Sequence, residues 1–155
     1  MPPVRAIVSL GSNIEPRAEY LARAREALSA MPETRIAGMS SVEETDPVGV
    51  PDEFAHLKFL NQLIVLQTGL DVHDFSRRMH AVENALGRVR TVKNGPRTID
   101  IDLIDFGGIR LDEPGGPCRK FVIVHNDAGS VQGDVLFIHL SIPFVKSHRI
   151  AKQRR

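Results

Sequence analysis

Val72, Phe75, Met79, Val82 and Leu86 recur at a three-four-three-four spacing. That period puts all five on one stripe of an α-helix, and Gly87 is well placed to end it. A helix with one apolar stripe must bury it against another element. The segments on either side supply that element, because both read as strands. Phe59–Thr68 carries Phe59, Leu63 and Val65 on one face and Leu60, Ile64 and Leu66 on the other, with Asn61 interrupting the first. Residues 99–104 alternate apolar and polar, the period of a half-buried strand. The same signals occur upstream. Val4 to Leu10 reads as a mostly buried strand, and Gly11-Ser12-Asn13 breaks it. Leu21, Ala24, Leu28 and Met31 recur at helical spacing, with Pro16 in the first turn and an end near Ala30, before Pro32. Arg35 to Thr45 reads as a second strand, with Ile36 and Val42 its clearest apolar positions. The order strand, helix, strand, strand, helix, strand predicts an α+β fold of ferredoxin-like type, with helices packed on a mostly antiparallel sheet.

The chemistry concentrates in Lys93-Asn94-Gly95-Pro96-Arg97-Thr98-Ile99-Asp100-Ile101-Asp102-Leu103-Ile104. Asn-Gly-Pro favours a turn. In the strand that follows, Ile99, Ile101 and Leu103 face a core, while Asp100 and Asp102 share the other face, with Cα atoms about 7 Å apart. Two carboxylates that close repel each other unless a cation sits between them. Mg²⁺ takes oxygen ligands and typically uses one or two carboxylates plus substrate phosphates. Arg97 is a planar donor suited to phosphate. Arg88, Arg90, Lys93 and Arg97 place four cations in a ten-residue window just before the acids. A basic cluster beside paired acids suits a metal-bound polyphosphate. A solvated edge strand bearing two ordinary acids explains the stretch alone equally well.

Other positions also admit two readings. Gly11-Ser12-Asn13, between strand and helix, is either a tight turn or an anion-binding loop. Spacing alone favours the turn, and the Gly-Lys-Ser/Thr ending of a Walker A loop is missing. Asn61, if buried in so apolar a strand, needs a partner, either backbone or the polar edge of a ligand. Asp46 to Asp52 is a loop stiffened by Pro47 and Pro51, a common location for binding residues. Glu83 flanks the apolar stripe of its helix, and His73 and His80, seven residues apart on that helix, read as surface residues.

Composition limits the alternatives. A chain of 155 residues suits one domain with one core, expected over residues 1–145. A net charge of +1 gives no global pull toward nucleic acid or membrane. One Tyr and no Trp do not suit a sheet that stacks RNA bases. The single cysteine, Cys118, rules out an intrachain disulfide and a Cys-based metal cage. No apolar run approaches the length of a membrane span, and no signal peptide is evident, so a cytoplasmic monomer is expected. Signals weaken beyond Gly108. Phe121 to His125 and Val135 to Ile142 are apolar runs that read as a hairpin or as separate strands. The basic tail, residues 146–155, is expected to fray.

Lys93-x-Gly95-Pro96-Arg97-x-x-Asp100-Ile101-Asp102-Leu103-Ile104 resembles the signature of the 6-hydroxymethyl-7,8-dihydropterin pyrophosphokinases, a family of folate biosynthesis. Ser9-Leu10-Gly11-Ser12-Asn13 resembles the family's first strand and turn, and Glu44-Thr45-Asp46-Pro47-Val48-Gly49 its pterin loop. Phe59-Leu60-Asn61 resembles its pterin strand, and Gly87-Arg88-Val89-Arg90 its ATP-side arginines. The agreement runs from about Val4 to Asp112.

The resemblance implies a ferredoxin-like fold that transfers pyrophosphate from ATP to the hydroxymethyl oxygen of the pterin and releases AMP. It implies that Asp100 and Asp102 hold two Mg²⁺ ions and that Arg88 and Arg97 act in catalysis on the phosphates, supported by Arg90. Glu83 is implied on the nucleotide side. His80 stands where the family often has Gln. Thr45, Pro47 and Val48 are implied to line the pterin pocket, Asn61 to bond the pterin edge and Phe59 to stack on its ring. ATP and the hydroxymethyl-dihydropterin are then the only expected partners.

The likeness departs in the last quarter. Arg119-Lys120-Phe121-Val122 resembles an Arg-x-Phe-Val segment of the family, but the His-bearing segment that should precede it is missing. Arg119 is assigned as an ATP contact and Phe121 as the second stacking aromatic. The alternative is a divergent end, spanning residues 115–145, that leaves a non-catalytic pterin- or nucleotide-binding module.

Overall fold

A computed structural model describes residues 2–47, 51–87 and 96–107, together with the backbone of 135–138 and 148–152. The elements in chain order are β1 (Val4–Ser12), α1 (Arg17–Ser29), β2 (Thr34–Ser40), β3 (Glu43–Thr45), β4 (Phe59–Thr68), α2 (Val72–Ala85), β5 (Asp100–Phe106), β6 (Val135–Ile138) and β7 (His148–Lys152). The sheet order is β5-β1-β4-β2-β7-β6, with β3 also paired to β4. Each pairing is antiparallel. The first four of that order, β5-β1-β4-β2, together with the two helices, form the ferredoxin-like α+β arrangement expected from the order of elements.

Both helices cover one face of the sheet. Ala6, Val8 and Leu10 of β1, Ile64 and Leu66 of β4, and Ile101 and Leu103 of β5 meet Leu21, Ala24 and Leu28 of α1 and Phe75 and Met79 of α2 in one core. Phe75 is fully buried, with its ring centroid 5.5 Å from that of Phe106. Burying such a side chain contributes roughly 1.5–3 kcal/mol. Asp71 caps α2 by accepting the N–H groups of His73 and Asp74. Gly87 follows the helix at φ 78°, a left-handed conformation that glycine adopts without steric cost.

Three expectations change. Gly11 and Ser12 do not break the first strand but belong to β1, where Gly11 pairs with Asn61 on one side and Asp100 on the other. The single strand expected over 35–45 is two. Met39 pairs with Ile64 and Glu43 with Asn61, so β2 and β3 spend one more residue than β4 across the gap. Side chains fill that gap in the ladder. Ser40 Oγ accepts the Leu63 N–H at 2.9 Å, and Gln62 Nε2 donates to the Ser40 carbonyl at 2.8 Å. Finally, residues 148–152 of the supposedly frayed tail form β7 on the outer edge of β2. An open strand edge presents unpaired N–H and C=O groups and so accepts another strand. The 135–142 run supplies β6, whose partner is β7. Phe121 to His125 lies outside the described residues.

Candidate active site

Strand alternation and register gather the expected site residues on the side of the sheet opposite the helices. In β5, Ile101 and Leu103 are buried in the helix-side core, while Asp100 and Asp102 are only partly buried. Asp102 pairs with Ser9, and Ser9 with Leu63. Asp100 pairs with Gly11, and Gly11 with Asn61. Asn61 pairs in turn with Glu43, and two residues along β4 Phe59 pairs with Thr45. The acid pair and the expected pterin wall therefore share one face. They are separated by a single strand, which at the spacing of a sheet means about 10 Å.

Gly11 is the residue between them. A Cβ there would lie 3.4 Å from Asn61 Oδ1 and 3.7 Å from Phe59 Cδ1, so the missing side chain keeps the floor between amide and ring low. Asn61, 6% exposed, donates its side-chain amide to Thr45 Oγ1 at 2.6 Å. A side chain thus joins backbone and ligand edge as a partner for it. A second residue of the same expected pocket takes that place. Phe59 is buried, and Pro47 is half-buried.

Arg97 joins the two halves. Its Nη1 donates to Asp100 Oδ2 at 2.8 Å, and its guanidinium carbon lies 5.7 Å from the centroid of the Phe59 ring, within cation–π range. One cation thus contacts both an expected metal ligand and the expected stacking ring. Glu83 is 2% exposed. Its Oε1 accepts the N–H of Ile101, the residue between the two acids, at 2.7 Å, and its Oε2 lies 3.1 Å from His80 Nδ1. Glu83 therefore faces inward and ties α2 to the outer edge of β5, rather than merely flanking the apolar stripe. His80 is its partner, not a free surface residue. Arg17, the first residue of α1, bonds Glu15, Glu44 and the Lys58 carbonyl, and so ties the helix to β3 and to the start of β4.

An open cavity of about 490 Å³ adjoins this corner, lined by Arg17, Glu44, Lys58, Asn13 and Pro96 among others. None of Asp100, Asp102, Asn61 or Phe59 lines it. Among the described residues no group of three or more His, Cys, Asp and Glu could hold a metal. Mg²⁺ commonly takes one or two protein carboxylates, with its remaining positions filled by water and substrate phosphate. Two half-buried carboxylates on one face of a strand, with oxygen donors only, are the right donor set for it.

The site residues expected from sequence divide accordingly. Thr45, Pro47, Phe59, Asn61, Glu83, Arg97, Asp100 and Asp102 lie within the described residues. Val48, Arg88, Arg90, Arg119 and Phe121 lie outside them. Gly11 and Asn13 were missed as parts of the site. The period of β1 could have revealed Gly11, which sits two residues from Ser9 on the same face.

Comparison with known proteins indicates the family. The profile of the 7,8-dihydro-6-hydroxymethylpterin-pyrophosphokinase (HPPK) family matches residues 7–128. The chain belongs to that family. Three proteins named 2-amino-4-hydroxy-6-hydroxymethyldihydropteridine pyrophosphokinase are similar to this HPPK family member. The one from Pseudomonas aeruginosa is 37% identical over 110 residues, 71% of this chain and 66% of that protein. The one from Bacillus subtilis is 39% identical over 101 residues, 65% and 59% of the two. The one from Methylorubrum extorquens is 38% identical over 109 residues, 70% and 67%. The chain thus spans about two thirds of the length of these relatives. A crystal structure of HPPK-DHPS in complex with substrates shares the fold at a TM-score of 0.50 and 15% identity, covering 68% of this chain and 28% of that one.

Proposed function

We propose that this HPPK family member transfers pyrophosphate from ATP to the hydroxymethyl group of 6-hydroxymethyl-7,8-dihydropterin. The hydroxymethyl oxygen bonds to the β-phosphorus, the bond from that phosphorus to the α–β bridging oxygen breaks, and AMP leaves with the bridging oxygen. The hydroxyl proton passes to solvent. The observation that carries this is the register that puts Asp100 and Asp102 one strand away from Asn61 and Phe59, with Arg97 in contact with both groups.

Asp100 and Asp102 would hold Mg²⁺, two ions by the family resemblance, whose charge neutralises the ATP phosphates. Arg97, between acids and ring, grips the transferred phosphates and stabilises charge as AMP departs. Arg88 shares that role, with Arg90, Glu83 and Arg119 on the nucleotide side. Phe59 and Phe121 stack on the pterin ring, and Asn61, Thr45, Pro47 and Val48 fix its edge. The Asn61–Thr45 pair supports this division, because a preset amide reads a heterocycle edge without first being ordered. Among the described residues no helix is long and apolar enough to cross a membrane, and we place the enzyme in the cytoplasm as a monomer.

Incubation with ATP, Mg²⁺ and the hydroxymethyl-dihydropterin tests this. AMP and the pterin diphosphate should form in equal amounts, and only with Mg²⁺ present. Pterin binding without AMP formation would refute catalysis and leave a binding module.

A further inference from the structure

The pairing of β1 with β5 runs out at Gly11 and Asp100. Residues 96–99 lie beyond it and belong to no strand. Arg97 nevertheless has both of its backbone polar groups held. Its N–H donates to Asn13 Oδ1 at 2.7 Å, and its carbonyl accepts the Asn13 N–H at 3.3 Å. One residue, 84 positions away in the chain, closes a two-bond ring on Arg97. The side-chain oxygen takes the place of the carbonyl that another strand pair would have supplied. Asn13 is 4% exposed, so water competes little for these bonds. A guanidinium sits at the end of a long flexible stem, so where its backbone is anchored decides which groups it reaches.

We infer that Asn13 is a positioning residue that holds the Arg97 backbone so that the guanidinium spans the acid pair and the Phe59 ring. The inference rests on the pyrophosphoryl-transfer reading above, and Asn13 acts only through Arg97. It assigns Gly11-Ser12-Asn13 a role that neither a plain turn nor an anion-binding loop describes. The Asn13 N–H that an anion would need is given to the Arg97 carbonyl. Asparagine suits the position because its acceptor oxygen reaches the N–H without placing a negative charge beside the phosphate site. Aspartate keeps the reach and adds the charge, and alanine removes the acceptor.

The test uses the full chain carrying Asn13→Ala or Asn13→Asp, each also combined with Arg97→Ala. In Asn13→Ala the Arg97 amide should exchange with solvent at least about tenfold faster, while central β4 amides keep their protection. Asn13→Asp should retain most of the Arg97 protection. The kcat of Asn13→Ala should fall about 10- to 100-fold, the scale of a 1 Å misplacement, with the pterin KM within about threefold. In the Arg97→Ala background the same substitution should lower kcat by less than about threefold, because the group it positions is gone. If Asn13→Ala fails to fold, Asn13→Ser, whose hydroxyl falls short of the Arg97 N–H, replaces it in every comparison. Unchanged Arg97 exchange, or a full additional loss of kcat without the arginine, would overturn the inference. Failure of the wild-type chain to form AMP would instead refute the proposed reaction, and the exchange result would then decide the anchor by itself.

Discussion

Replacing Glu83 by alanine should detach the outer edge of β5 from α2 and displace both acids of the site. The carboxylate is 2% exposed and takes the Ile101 N–H at 2.7 Å. Ile101 is the residue between Asp100 and Asp102, so its backbone position sets both side chains. Leaving a buried N–H without its acceptor costs about 1–3 kcal/mol, and each buried methylene removed costs about 0.8 more. Glu83→Ala, which removes one such methylene, should therefore cost about 2–4 kcal/mol in all. Glu83→Gln keeps the size and one acceptor oxygen and loses only the charge assistance, so about 1 kcal/mol is expected. In urea unfolding followed by circular dichroism, with an m-value of about 2 kcal/mol/M, the midpoint should fall by roughly 1–2 M for Ala and 0.5 M for Gln. Mg²⁺-dependent turnover should fall with Ala more than with Gln. A midpoint for Glu83→Ala within about 0.25 M of wild type, or a Gln variant as damaged as the Ala one, would refute the tether.

Three further outcomes follow from the same geometry. Asp100→Ala and Asp102→Ala should each remove Mg²⁺-dependent AMP production, and wild-type rates in both would exclude them as metal ligands. Phe59→Ala should raise the pterin KM by about tenfold or more in steady-state assays, with a smaller change in the ATP KM, because it removes a stacking surface from one substrate only. An unchanged pterin KM would exclude stacking on that ring. The backbone N–H of Asp74, together with that of His73, holds the Asp71 carboxyl below the usual carboxylate range. A carboxyl lowered on folding stabilises the protein above its unfolded-state pKa, and that stability is lost as the pH falls through the folded one. The stability of Asp71→Asn should therefore depend less on pH than wild type on the acid side, measured by thermal melts between neutral pH and the carboxylate range. Parallel curves would show that the cap does not titrate with folding.

Much of the scaffold is local information. The spacing from Val72 to Leu86 requires a helix buried along one stripe, and α2 buries Phe75 and Met79 on that stripe. The alternation from Ile99 to Leu103 decides that Asp100 and Asp102 share a face, and β5 keeps them there. The expected strand over 35–45 failed for the opposite reason. Its interruption depends on Ser40 bonding across to Gln62 and Leu63 of β4, which no propensity within 35–45 encodes. Glu83 shows the same limit. Its place beside the apolar stripe was visible, but its partner, the Ile101 N–H, belongs to a strand 18 residues later.

The sequence by itself determined which residues turn toward a core and which turn away, because a periodicity of two or 3.6 is a property of the chain alone. That was sufficient to put Asp100 and Asp102 on one face of their strand and Phe59 and Asn61 on one face of theirs, and the motif order was sufficient to indicate the family. Which of these positions become neighbours was decided only by the tertiary structure. Register across β5, β1 and β4 puts Gly11 between Asp100 and Asn61. Pairing over 84 residues lets Asn13 hold Arg97. Register is a relation between strands, set by the packing of the whole sheet against its helices, and a single segment does not carry it.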